Sequence, residues 1–244
     1  MIIKTLIKKQ MLCVLMACFL AACASQVAPV NGKRLPDQKD GSSLGHLMKS
    51  DIDRLADVEM RENTLSLRLL MTKLYKRNPA ELKKSTSGTV DEMVGWVFEG
   101  DHKWNFEMLN GVKETDAIYL AFKPDYKGDR VLAFVAGLQT MMIKARGGKT
   151  EFFLTDSVDP QSVYNSARNV EIAAWKLSNT RDEAGKLYFQ TNEMNGKEQN
   201  LSFEREIGRM AGRIDLYALT LSEKSQRGLT RFTQGVATAL FLPI

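Results

Sequence analysis

From Leu47 onward, apolar positions recur at intervals of three and four, the helical period, more often than they alternate. Ile52, Leu55 and Val58, followed by Leu67, Leu70, Met71 and Leu74, predict one long helix or two in succession, ending near Lys76. Asn78-Pro79 stops it, because proline disfavours the helical conformation in the residue before it and itself suits the first turn of a new helix. A short helix from Pro79 follows. Gly88 or Thr89 can cap another through Phe98, with Val90, Met93, Val94 and Val97 facing inward, and a further turn or two is expected from Thr115 to Phe122.

Val131 to Ile143 is apolar on every side apart from Gln139 and Thr140, the pattern of a helix buried all round. Its 13 residues fit a central core helix rather than a membrane span, which needs roughly 20, and Gly147-Gly148 ends it. Asp159-Pro160 places a capping acid before a proline at the first helical position. Val163, Ala167, Val170, Ala174 and Leu177 then form one buried seam. Ser202 opens another helix, with Glu204 and Glu206 near its positive end and Phe203, Ile207, Met210, Ile214, Tyr217 and Leu221 as its seam. Strand signals are confined to Glu151-Phe152-Phe153-Leu154 and Leu187-Tyr188-Phe189, with Asn195-Gly196 favouring a tight turn. The expected fold is therefore mainly α, a single-domain, bundle-like helical body over residues 47–244 with at most a short β-hairpin.

The chain before that body has a different pattern. Lys4, Lys8 and Lys9 precede the apolar stretch Met11 to Leu20, which is too short to span a bilayer and is followed by small residues, the grammar of an export signal. Leu20-Ala21-Ala22-Cys23 resembles the lipobox of bacterial lipoproteins. That resemblance implies removal of residues 1–22 by cleavage between Ala22 and Cys23, a diacylglycerol thioether on Cys23 and a further acyl chain on its amino group. Two or three chains, at about 0.8 kcal/mol per buried methylene, hold a protein on a membrane essentially permanently. Ala24 and Ser25 follow the cysteine where inner-membrane lipoproteins tend to carry aspartate, so the resemblance implies the periplasmic side of an outer membrane.

Residues 23–46 then read as a tether, with Pro29, Asn31-Gly32, Pro36 and Asp40-Gly41-Ser42-Ser43 and too few apolar residues for a core. Such a segment reaches at most roughly 75 Å when stretched and averages nearer 25 Å as a coil. All three cysteines, Cys13, Cys18 and Cys23, lie in the leader or at its edge, which leaves the body no internal disulfide and no thiol chemistry. The net charge of +5 comes partly from the leader. Without its three lysines, 31 basic residues face 29 acidic ones, a balance of +2 that makes no case for nucleic acid.

Candidate chemistry is sparse. Ala145-Arg146-Gly147-Gly148-Lys149-Thr150 ends like a phosphate-binding loop, but Ile143 stands where that motif needs glycine and the segment closes a helix instead of opening one. A helix C-cap and turn is expected, and nucleotide binding is rejected. With two histidines, His46 and His102, a triad or zinc cluster would rest on a single ring. Glu99, Asp101 and His102 read as solvated loop residues, and Asp159 as a cap, with Asp156 short of the oxygen density that calcium needs. No cofactor and no metal are expected. Glu92, Glu99 and Glu171 are formally available for general-acid work, which requires a carboxyl raised by apolar burial beside a cleft; Glu171 is expected on an exposed helix face.

Tyr164, Arg168 and Trp175 share one side of the Asp159 helix, while Trp104 and Phe106 lie upstream. These residue types are enriched in binding hot spots and also supply core volume. Core packing is the expectation, with Trp104, Tyr164, Arg168 and Trp175 kept as candidate partner contacts. Arg209 and Arg213 are expected on a solvated flank, where Glu206 can pair with the row. The tail, Val236 to Ile244, is expected to pack on the helices.

Arg68 to Pro79, Val163 to Trp175 and Leu201 to Met210 resemble parts of proteobacterial outer-membrane lipoproteins, a likeness that brings no activity with it. The expected function is a lipid-anchored, non-catalytic binding or assembly factor with an envelope protein partner. The alternatives are a cell-wall enzyme using carboxylates, which predicts a polar cleft with an enclosed acid, and a lipid carrier, which predicts an apolar cavity.

Overall fold

Side-chain caps and prolines set most of the helix boundaries in the computed structural model, which describes residues 49–153, 157–194, 199–226 and 241–244. The export leader, the Ala22-Cys23 junction, the tether, Asp156, the Asn195-Gly196 turn and the tail up to Leu240 lie outside the described residues. Helix α1, Asp51–Arg77, is a single 27-residue helix, opened by a capping box in which Ser50 and Asp53 satisfy each other's main-chain N–H. Asn78 ends it, its Nδ2 donating to the Leu74 carbonyl at 2.8 Å, and Pro79 opens α2, Pro79–Ser85. Thr89 and Glu92 form the second capping box, which starts α3, Val90–Glu99. A 3₁₀ turn at Glu107–Leu109 precedes α4, Glu114–Leu120.

Helix α5, Arg130–Ala145, is capped by Asp129 and buried all round, Gln139 and Thr140 included. It packs against α1, α2, α4 and α6. The approach of α4 depends on Gly137, where a Cβ would stand 2.7 Å from the Ile118 nitrogen and 2.8 Å from the Glu114 carbonyl oxygen. Gly147 and Gly148, both at positive φ, turn the chain after α5 as the glycine pair predicts. No helix among the described residues is long and apolar enough to cross a membrane.

Helix α6, Pro160–Asn179, is capped by Asp159, and α7, Ser202–Ser225, runs antiparallel to it. Ser178 meets Glu204 at one end of the pair, and Arg168 meets Asp215 towards the other. The seams predicted for both helices are buried. Helix α1 also lies antiparallel to α7, with Lys73 reaching the Ser202 carbonyl and Arg213 reaching Asn63. These helices make the fold mainly α. The described part of the tail docks as expected: Asn169 exchanges hydrogen bonds with Leu242, Asn165 donates to the Pro243 carbonyl, and Phe241 packs on Tyr119.

Three sequence expectations are corrected. Phe152 and Phe153 form no strand; Phe152 is buried and its N–H goes to Asp57, while Leu187 makes only an isolated bridge to Arg181. The sole ladder among the described residues joins β1, Glu193–Met194, to β2, Gln199–Asn200, on either side of the predicted turn. Arg213 is no solvated flank, since its guanidinium bonds Asn63, Ser66 and the Glu62 carbonyl on α1.

Candidate functional site

Two polar clusters inside the body hold carboxyls whose pKa is pushed up, and both are structural. Glu59 on α1 receives Nε and Nη2 of Arg146 at 2.5–3.1 Å, with side-chain exposures of 3% and 0%. Burial raises the Glu59 carboxyl and the arginine pulls it back. Arg146 also donates to the Met142 carbonyl and lies against the Tyr217 ring, so the pair ties α1, α5 and α7 together. Asp129, likewise raised by burial, accepts from Tyr75, Ser85 and the Leu132 N–H. Neither acid lines either of the two recesses described below.

Two recesses stand out on the surface of the described residues. One, about 420 Å³, runs between α6 and α7 and gathers the largest share of the candidate residues. From α6 come Glu171, Trp175 and Ser178 at helical spacing; from α7 come Glu204, Gly208, Gly212 and Asp215. Trp175 is 39% exposed, contrary to the expectation that it fills core volume, because the small Ala174, Gly208, Ala211 and Gly212 leave its ring standing beside a low floor.

That floor is unusual for a helix interior. Among the described residues, a Cβ on Gly208 or Gly212 would meet nothing within 4 Å, so no contact with them requires glycine there. Each costs about 1 kcal/mol of helix stability relative to alanine. The two glycines therefore give up roughly 2 kcal/mol to leave main chain open at the groove.

Arg168 stands at one end, paired with Asp215, 3.3 Å from Glu171, and stacked on Tyr164 at 5.1 Å. Glu204 at the other end accepts from Ser178 and Asn192. Three carboxylates and one neighbouring cation leave the groove negative. Glu171 is exposed as expected, yet partial desolvation raises its carboxyl, with Arg168 lowering it and Asp215 raising it further.

Trp104 does not line this groove. It packs edge-on against Phe98, His102 and Phe106 beside α3, a ring cluster that also includes the 46% exposed Trp96, a residue the apolar pattern did not single out. His102 is held there by its ring nitrogens, Nδ1 accepting from the Trp104 N–H and Nε2 lying 3.1 Å from the Trp96 carbonyl. Glu99 pairs with Arg68, and Glu92 serves its capping box. No group of three or more His, Cys, Asp or Glu able to hold a metal exists among the described residues.

The second recess, about 790 Å³, lies at the junction of α1 and α2 with the loops that follow α4 and α6. No protein-family model matches the chain, and no curated protein and no solved structure matches it either.

Proposed function

We propose that this protein is a lipoprotein of the outer membrane, facing the periplasm, held by acyl chains on Cys23, and that it works by binding an envelope protein without turning over a substrate. The lipobox-like Leu20-Ala21-Ala22-Cys23 supports the anchor, and residues 23–46 the reach of the body. The observation that carries the binding role is the bare floor formed by Gly208 and Gly212 beside the exposed ring of Trp175. Main chain left uncovered at a helix surface lets another backbone approach closely. An exposed tryptophan next to it is a typical binding anchor. The surrounding Glu171, Glu204 and Asp215 select a basic partner segment.

A photo-crosslinking residue placed at Asn179, on the rim of the groove and away from its glycine floor, tests the groove in the intact cell. An adduct of discrete mass is expected, lost on Trp175→Ala and weakened by Glu204→Lys. An adduct indifferent to both changes overturns the assignment of the groove. The anchor has its own test: Cys23→Ser should move the protein out of the membrane fraction, and an unmodified amino terminus in the native intact mass refutes it.

One observation favours a second reading, a carboxylate enzyme: Glu171 is both raised by desolvation and open to the groove. Turnover of a cell-wall or lipid substrate, abolished by Glu171→Gln, would establish that reading over the first.

A further inference from the structure

The larger recess, at the far end of α1 from Ser50, holds a buried cation that the fold does not neutralise. Arg130 is 8% exposed. Its Nη1 donates to the carbonyls of Ala121 and Lys123 at 2.7 and 2.9 Å, and its Nη2 to that of Tyr126 at 2.9 Å. Three of its five N–H donors are thus bound to neutral oxygens, and two remain. One face of the guanidinium lies on the Tyr188 ring, 4.4 Å from its centre.

Four acids line the recess: Asp125 and Glu183 are exposed and form no ion pair with Arg130, while Glu81 and Asp182 are committed elsewhere. Glu81 accepts both from Lys84 and from the main-chain N–H of Arg130, and Asp182 accepts the N–H groups of Ala184 and Lys186 within its own turn. Asp129 serves Tyr75, Ser85 and the cap of α5. Among the described residues no carboxylate oxygen lies within 4.0 Å of the Arg130 guanidinium. A buried charge is retained where paired or strongly hydrogen-bonded groups offset its lost hydration. Carbonyl dipoles meet that need on one side only. Clamping the 121–126 loop explains three donors and leaves both the recess and the remaining fork without a role.

We infer that the recess is a second binding site, in which Arg130, with Lys186 at the rim, receives an oxyanion (carboxylate or phosphate) of a small ligand or chain end lying along Tyr188. The remaining N–H groups and the stacked plane suit an oxyanion better than a point charge would. The volume, about 790 Å³, accommodates a small molecule rather than a single ion.

Titration of the purified full-length protein with inorganic phosphate, and separately with N-acetylglycine, tests this by following the Arg Nε–H resonances and by calorimetry. Saturable movement of the Arg130 signal by either probe is the expected result, and the probe that binds more tightly identifies the oxyanion. Arg130→Lys should weaken that binding about tenfold or more, the loss of one well-made charged hydrogen bond. Because Arg130 also clamps a loop, the rim variant Lys186→Glu provides a change that leaves the clamp intact, and it too should weaken binding. No movement with either probe, or binding unchanged in both variants, overturns the site.

Discussion

Changing Gly208 and Gly212 to alanine should make this protein more stable and worse at its work. A methyl at either position meets no atom within 4 Å, so the substitution introduces no clash, and neither glycine has a positive φ. Alanine is favoured over glycine in a helix interior by about 1 kcal/mol, partly through the unfolded chain it restricts. The double variant is therefore expected to gain about 2 kcal/mol. In a body of about 200 residues each kcal/mol moves Tm by about 2–4 °C, so the rise should be about 4–8 °C.

Gly137 supplies an internal control of opposite sign. A methyl there would lie 2.7 Å from the Ile118 nitrogen and 2.8 Å from the Glu114 oxygen, and because both are main-chain atoms α4 as a whole must retreat from α5. Overpacking of that kind costs about 1–3 kcal/mol. Thermal melts by circular dichroism, with urea titrations to separate stability from changes in compactness, read both signs on the same scale. Crosslinking from the groove then reads the cost to function. A double variant that melts below the wild type refutes the open floor, whereas one that is stabilised and still captures its partner at full yield refutes the purpose assigned to it.

Other outcomes follow from single features of the body. Glu59→Ala strands Arg146, whose side chain is 0% exposed, and should cost about 3–5 kcal/mol in urea unfolding; a loss below about 1 kcal/mol contradicts the buried pair. Asp129 has a folded pKa above its ordinary 3.8, so the folded state binds this proton more tightly, and the stability it contributes is complete below that value and lost as pH rises through the folded one. Acidification from neutral pH towards that ordinary value should therefore raise Tm in the wild type relative to Asp129→Asn, and a smaller rise in the wild type than in the variant would show the sign to be wrong. Asn169→Ala removes both hydrogen bonds to Leu242 and should make carboxypeptidase trim the C-terminal residues faster than in the wild type; equal rates would contradict the docking.

The helices were legible because their signals are local. Period-three-and-four seams, the proline after Asn78, the acid before Pro160 and the glycine pair after α5 each act within a few residues, and each marks a boundary or a face that the structure has. What escaped depends on residues far apart in the chain. Arg146 read as part of a C-cap turn because its partner, Glu59, is 87 positions away on another helix. Arg213 read as a solvated flank because α1, which receives it, is about 150 positions upstream.

The groove was hidden for a different reason. Pattern reading scores what side chains do, so the seam from Phe203 to Leu221 drew attention to the buried face of α7 and away from the exposed Gly208 and Gly212. A pair of glycines four apart in an otherwise good helix was nonetheless a visible signal, since glycine there lowers stability and needs a compensating cause. Packing is one such cause, as Gly137 demonstrates, but no packing among the described residues calls for glycine at 208 or 212. The proposed partner contact supplies the other cause, and on that proposal these two positions separate selection for stability from selection for binding.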